Sequence, residues 1–235
     1  MDVTAYAATI GHSVWFSYDL GESWNRAHTP TGGFYNESRC WSLSIHPERP
    51  GEVLAGTDIG VYRWDNLQER WNYVPSPMDD LHIQQITQAP CDPNIIIAGT
   101  RPAEIFKSLD AGRSWERCRL GNATECCFIN TPRVTSIQFD PLDKETIWVT
   151  IEIDGVFKTT DMGETWEKYN DGLVSNDTHN LVFFDNVGGN RKILCSTEEG
   201  LHYSIDNGAN WTHQKIPEAP WLYMRCIKKR ADNSG

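Results

Sequence analysis

An eight-residue pattern, small hydroxyl–x–Asp–x–Gly–x–small–Trp, occurs four times in this chain, at 17–24, 108–115, 159–166 and 204–211. A worn fifth copy runs over 64–71, with Asn66 where the Asp should stand and Gln68 where the Gly should stand. The terminal tryptophans, Trp24, Trp71, Trp115, Trp166 and Trp211, follow one another at intervals of 44 to 51 residues. Self-similarity at that period, in segments rich in β-formers, dictates stacked β units rather than one irregular core.

The residue types explain the spacing. A short apolar strand precedes each copy, at 14–16, 61–62, 105–106, 156–157 and 201–203, and a new strand opens at the Trp. Asp in a turn accepts hydrogen bonds from backbone N–H groups just ahead of it. Gly two residues later supplies a φ > 0 position that a side chain resists. The hydroxyl secures the turn further, and the Trp offers a large apolar surface to bury. Asp19, Gly21 and Trp24 are therefore structural, as are Asp110, Gly112 and Trp115, Asp161, Gly163 and Trp166, and Asp206, Gly208 and Trp211. One carboxylate per copy is too few for a calcium loop.

These boxes resemble the Asp-box (bacterial neuraminidase, BNR) repeats of sialidases, xyloglucanase-like glycosidases, photosystem II assembly factors and sortilin-type receptors. The resemblance covers nearly the whole chain. It implies an all-β β-propeller of four-stranded antiparallel blades, with the box joining third and fourth strands at the rim away from the active face. It does not choose an activity, since the family mixes enzymes with binding scaffolds.

Strand patterns repeat within that frame. The first strands read at 40–45, 83–88, 134–139 and 180–184, with second strands at 52–57, 95–99, 146–151 and 192–195. His46-Pro47, Ala89-Pro90 and Asp140-Pro141 sit at matching turns after the first strand. The expected layout is one propeller domain over 1–235: an incomplete first blade and loop at 1–39, blades at 40–82, 83–133, 134–179 and 180–221, and a first strand of a further or closing blade at 222–235. Two readings of the five units compete. In one they belong to a six- to eight-bladed ring; in the other the tail closes a five-bladed ring.

Composition limits the partners. Net charge is −11 with no basic tract, which argues against nucleic acid. No stretch approaches the roughly 18–20 apolar residues of a membrane span. The opening residues lack the basic and apolar regions of a signal peptide, so with Met1 as the start the expectation is cytoplasmic. Seven cysteines without a Cys-x-x-Cys pair read as reduced thiols; no metal and no cofactor are expected. Adjacent Cys126 and Cys127 read as packing residues.

Ligand chemistry is sought in the loops at the other end of the blades. The residue before each first strand aligns across repeats as Arg39, His82, Arg133, His179 and Arg225. Five potentially cationic residues at one end of an acidic protein suggest a pocket for a carboxylate, sulfate or phosphate. The alternative is that each binds a loop carboxylate or carbonyl nearby. By resemblance to sialidases, which hold their substrate's carboxylate with three arginines, Arg39, Arg133 and Arg225 are the counterparts; the accompanying Phe-Arg-Ile-Pro motif is absent.

Connections between second and third strands add Asp58, Arg101, Glu104, Glu152, Asp154, Glu198 and Glu199. Glycoside hydrolysis needs two carboxyl groups flanking the bond, which makes Asp58, Glu152, Asp154 and Glu198 the catalytic candidates. Loops at 32–37, 125–130 and 219–223 place aromatics and amides beside Arg39, Arg133 and Arg225. The expected partner is a glycan or small anionic ligand. The alternative is a non-catalytic scaffold that binds a protein, as in assembly-factor and sortilin-type propellers.

Overall fold

The computed structural model describes residues 4–27, 34, 37–46, 48–127, 129–187, 190–217 and 223–230. Among these, every regular element is a strand. The first sheet has three strands, β1 (Ala5–Ala8), β2 (Val14–Ser17) and β3 (Asn25–Arg26), and is the blade without its first strand. Four-stranded sheets follow: β4 (Cys40–His46), β5 (Arg49–Thr57), β6 (Gly60–Asp65) and β7 (Arg70–Val74), then β8 (His82–Ala89), β9 (Asp92–Arg101), β10 (Ile105–Ser108) and β11 (Glu116–Cys118). The last two are β12 (Val134–Phe139), β13 (Ile147–Ile151), β14 (Gly155–Thr159) and β15 (Glu167–Lys168), then β16 (Thr178–Val187), β17 (Asn190–Thr197), β18 (Gly200–Ser204) and β19 (Thr212–Gln214). Each sheet keeps its strands in chain order, the meander of a β-propeller blade. Pro47 of the first Pro turn lies outside the described residues.

The chain forms two compact units, residues 1–101 with 106–117, and residues 102–105 with 118–235. The first unit buries Phe16, Phe34, Tyr62, Trp64 and Trp71 in one cluster and Leu54, Met78, Ile83 and Ile96 in another. The second buries Trp148, Val156, Leu181, Ile193 and Trp211. The inner strands are covered on both faces: all five residues of β13 and of β14 are buried, the polar Thr150, Lys158 and Thr159 among them.

The box hairpins are built alike. Gly21 N donates to Ser17 Oγ at 2.8 Å, Ser17 Oγ donates to Asp19 Oδ1 at 2.7 Å, and Ser23 N donates to Asp19 Oδ1 at 2.9 Å. The same three bonds recur around Asp110, Asp161 and Asp206. These bonds favour the charged form, so each of the four carboxyls is held down to about 2, with the Ser23, Ser114, Thr159 and Asn210 side chains the leading donors. The turn needs two left-handed residues, not one. Leu20, Ala111, Met162 and Asn207 have φ between 57° and 61°, ahead of glycines at φ 83° to 94°. In two boxes the first of these residues also ties the turn to the blade, as Ala111 N donates to Asn94 O and Met162 N to Glu145 O.

Two sequence expectations need revision here. Only Trp71 and Trp211 bury their rings, at 2% and 4% exposure, whereas Trp24 is 41% exposed beside its own Gly21. The worn copy is a different turn altogether. Its strands pair to the end, Trp64 with Trp71 and Asp65 with Arg70, and Asp65 Oδ1 caps the turn by accepting Leu67 N and Gln68 N at 3.0 Å each.

Candidate functional site

The loop end of each blade, where first strands begin and second strands finish, has one backbone irregularity in common. In the four-stranded blades the first strand slips register within its opening two residues, between Cys40 and Ser42, Ile83 and Gln85, Val134 and Ser136, and Thr178 and Asn180. The unpaired residues are Trp41, Gln84, Thr135 and His179. A bulge re-aims the side chain of its extra residue, so each blade presents a different group at the same place. Nothing in the strand patterns signals this slip.

The bulge corrects one alignment. Asp58 N donates to Arg39 O, Glu152 N to Arg133 O and Glu198 N to Asp177 O, at 3.0 to 3.1 Å, while His82 pairs directly with Arg101. Arg39, His82, Arg133 and Asp177 are therefore the equivalent residues. His179 stands at the bulge instead, level with Trp41. The segment 223–230 carries no strand, yet Met224 N donates to Thr197 O at 3.0 Å as Cys40 N donates to Thr9 O at 2.9 Å.

In the first unit, Arg39 is exposed and its backbone N–H donates to Asp58 Oδ1 at 3.0 Å. Asp58 thus closes a loop. His82 stacks on Trp41, with ring centroids 6.1 Å apart and planes 22° apart. Phe34, expected beside Arg39, is instead core, packed edge-on to Tyr62 at 4.6 Å. Gly32, Gly33, Tyr35 and Asn36 of that loop lie outside the described residues.

In the second unit, Arg133 Nη2 pairs with Glu152 Oε1 at 3.0 Å. Buried Asp154 accepts the Ala123 backbone N–H at 2.7 Å and pairs with Lys168 Nζ at 2.6 Å. Those bonds make Asp154 a loop anchor. Glu198 is exposed and accepts Ser175 Oγ at 2.8 Å, and Glu199 N donates to Thr197 Oγ1. Glu104 also belongs to this unit.

His179 is the most constrained of the candidates. Its Nδ1 lies 2.7 Å from the Met224 carbonyl oxygen and its Nε2 lies 3.3 Å from Asp177 Oδ1. Protonated on both nitrogens, the ring can donate to the Met224 carbonyl and pair with the Asp177 charge. Burial is the largest influence and opposes that charge, and Arg225 opposes it too. The Asp177 and Met224 hydrogen bonds and the Asp177 charge outweigh them, so the pKa lies above the usual histidine value. Tyr223 packs 4.8 Å from the His179 ring, and the Arg225 guanidinium lies 5.4 Å over Tyr223.

The five aligned cations divide between the units, Arg39 and His82 in one, Arg133, His179 and Arg225 in the other. Arg133 and His179 already hold a carboxylate each. Of the aromatic loops, Phe128 and residues 219–222 lie outside the described residues. Cys127 is exposed rather than packed. Among the described residues no three His, Cys, Asp or Glu side chains are grouped to hold a metal ion.

No protein-family model matches the chain. Over 206 residues, 81% of its length, it is 24% identical to a probable oligoxyloglucan-reducing end-specific xyloglucanase of Neosartorya fischeri, and it spans about a quarter (24%) of that relative. A crystal structure of an ancestral GH74 enzyme superposes with TM-score 0.74 at 20% identity, over 94% of this chain and 30% of that one. YCF48 bound to D1 peptide superposes with TM-score 0.60 at 15% identity, over 91% of this chain and 65% of that one. The likeness to these solved structures establishes the β-propeller fold.

Proposed function

We propose that this chain is a glycan-recognising part of an Asp-box propeller, with sugar rings bound at the loop ends of individual blades. The observation that carries this reading is the bulge in each first strand. It sets planar side chains, Trp41 with His82 in one unit and His179 with Tyr223 and Arg225 in the other, beside polar groups already fixed by hydrogen bonds. Planar faces next to fixed polar atoms suit the apolar faces and hydroxyls of sugar rings. The pairing of Arg133 with Glu152 and of His179 with Asp177 favours a neutral sugar over an anion, because an incoming anion would have to displace a carboxylate. The xyloglucanase relative makes xyloglucan oligosaccharides the first ligands to try.

The test is calorimetric titration with xyloglucan oligosaccharides, cellobiose and sialic acid, beside Tyr223→Ala and Trp41→Ala. Binding of a neutral oligosaccharide that weakens at least tenfold in either variant is the expected result. A folded protein that takes none of the neutral sugars, or that prefers sialic acid, sinks the reading. Reducing-sugar release is measured separately, with Glu152→Gln and Glu198→Gln as controls, since hydrolysis needs two carboxyl groups at the bond.

A second reading has one observation behind it. The YCF48 propeller that this fold matches is bound to a peptide, so a protein-binding scaffold is the alternative. Retention of a peptide partner with no sugar response would select it.

A further inference from the structure

At the opposite end of the first unit, the worn hairpin opens a cavity of about 670 Å³. It lies between the β4–β5 turn, the β6–β7 turn and the box turn that precedes β11. Gly51 lines it, and a Cβ there would be in ordinary contact with Asn66 at 3.8 Å. Arg63 reaches in from β6, where it pairs with Leu54 and Asn72, and donates through Nη2 to Ala111 O at 2.5 Å. Arg113, two residues beyond Ala111, is exposed and lines the same cavity.

The charges here are arranged unevenly. Arg49 pairs with Glu52 at 3.6 Å. Asp65 lines the cavity too, but its Oδ1 is occupied by two backbone N–H groups of its own turn, and its Oδ2 faces the Asn72 amide at 3.5 Å. Arg63 and Arg113 form no ion pair among the described residues. Burial pushes Arg63 below its usual value; the Glu52 charge opposes this, and the like charge of Arg113 adds a smaller push in the same direction as burial. The lining carries three guanidinium groups, of Arg49, Arg63 and Arg113, against the Glu52 and Asp65 carboxylates; with Glu52 paired to Arg49 and Asp65 engaged by its own turn, an incoming anion can take bidentate hydrogen bonds from the other two. Asn66, Asn72 and Asn94 add amides around the walls, and the volume is that of a small-molecule site rather than of a single ion.

We propose that this cavity is a binding site for an acidic sugar, with Arg63 and Arg113 holding its carboxylate and the asparagine amides meeting its hydroxyls. This site is separate from the loop end and does not depend on what binds there. The worn sequence acquires a reason on this view. Losing the box Asp and Gly freed the hairpin to carry Asp65, Asn66 and Asn72 along a recess instead of closing on itself.

The test is isothermal titration of the full chain with digalacturonate, cellobiose and inorganic sulfate. Two variants accompany it: Arg113→Gln, which removes an exposed cation, and Gly51→Leu, which fills space without changing charge. Saturable digalacturonate binding that weakens at least tenfold in both, and is unchanged in Arg133→Ala at the loop end, is expected. Equal affinity in Arg113→Gln overturns the proposal, as does cellobiose or sulfate binding as tightly as digalacturonate. Thermal melts of each variant confirm that folding is intact. A loss seen only in Arg133→Ala would instead place the anion at the loop end.

Discussion

The two ends of the blades follow opposite rules. At the box end, four hairpins repeat the same hydrogen bonds and the same pair of left-handed residues, whatever the side chains between them. At the loop end, the backbone repeats through its bulge, but the residue placed there is Trp, Gln, Thr or His. The uniform end maintains the fold and the variable end is free to bind. The worn hairpin is the informative exception, a box-end turn that gave up the shared bonds and gained a cavity.

The largest effect should come from breaking the uniform end where it is most tightly packed. A Cβ on Gly208 would lie 2.5 Å from Trp148 Cη2, and that ring is held by Asp140 through its Nε1 and covered by Lys158 at 4.6 Å. Neither the ring nor a backbone at φ +84° can yield easily, so Gly208→Ala should cost about 3–4 kcal/mol. The same change at Gly112 meets Val74 Cγ1 at 3.3 Å, and at Gly21 it meets only Trp24 at 3.7 Å. The cost should fall through that series to about 1 kcal/mol of backbone strain alone. Urea unfolding midpoints check the order. Equal losses at the three sites would show that the turn, not its packing, sets the cost.

Acid separates the two ends next. Box carboxyls held at about 2 keep their contribution above the ordinary carboxylate value of 3.8 and lose it as pH falls from there through 2. His202 behaves differently. It is fully buried, accepts the Val174 N–H of a loop-end segment at 3.2 Å, and stacks on His213 at 4.9 Å. Burial, then the neighbouring His213, lower its pKa to about 4. The unfolded chain therefore takes up the proton first, and stability falls between pH 6.5 and 4, by at most about 3 kcal/mol. His202→Gln should flatten that limb of the stability curve and leave the limb near pH 2 in place.

What was legible in the sequence follows the same division. The box is legible because each of its bonds needs a particular residue at a fixed offset: a hydroxyl for the Gly N–H, a carboxylate for the residue four ahead. The left-handed residue before the Gly was not legible, since Leu20, Ala111 and Met162 carry no preference for that conformation. At the loop end, Arg133 and Glu152 were visible as candidates, but their pairing spans two strands and has no local signature. The slip at Thr178 displaced His179 from its apparent equivalents, because a bulge adds a residue without altering the apolar pattern around it. The cavity was hidden for a related reason. It depends on an absence, a box that does not close.

The smallest expected effect tests whether the loop end responds to pH in the other direction. His179 has its pKa raised, so its contribution is complete below the unfolded value of about 6.5 and is lost as pH rises through the folded value. The groups around it are Asp177 on its own blade and Tyr223, Met224 and Arg225 on the tail. Losing the ring proton takes away one of its two N–H donors, leaving the Asp177 oxygen or the Met224 carbonyl facing an acceptor. Segment 223–230 is also held by Met224 N to Thr197 O and by Ile227 N to Asn180 Oδ1 at 3.1 Å, so it should loosen without leaving. Hydrogen exchange at the Met224 and Ile227 amides, corrected for intrinsic rate, should lose several-fold protection between pH 6 and 9. In His179→Gln, whose amide does not titrate, protection should be flat across that range. Protection that stayed constant in the parent chain would mean that the two backbone bonds hold the tail and that the His179 charge serves only to neutralise Asp177.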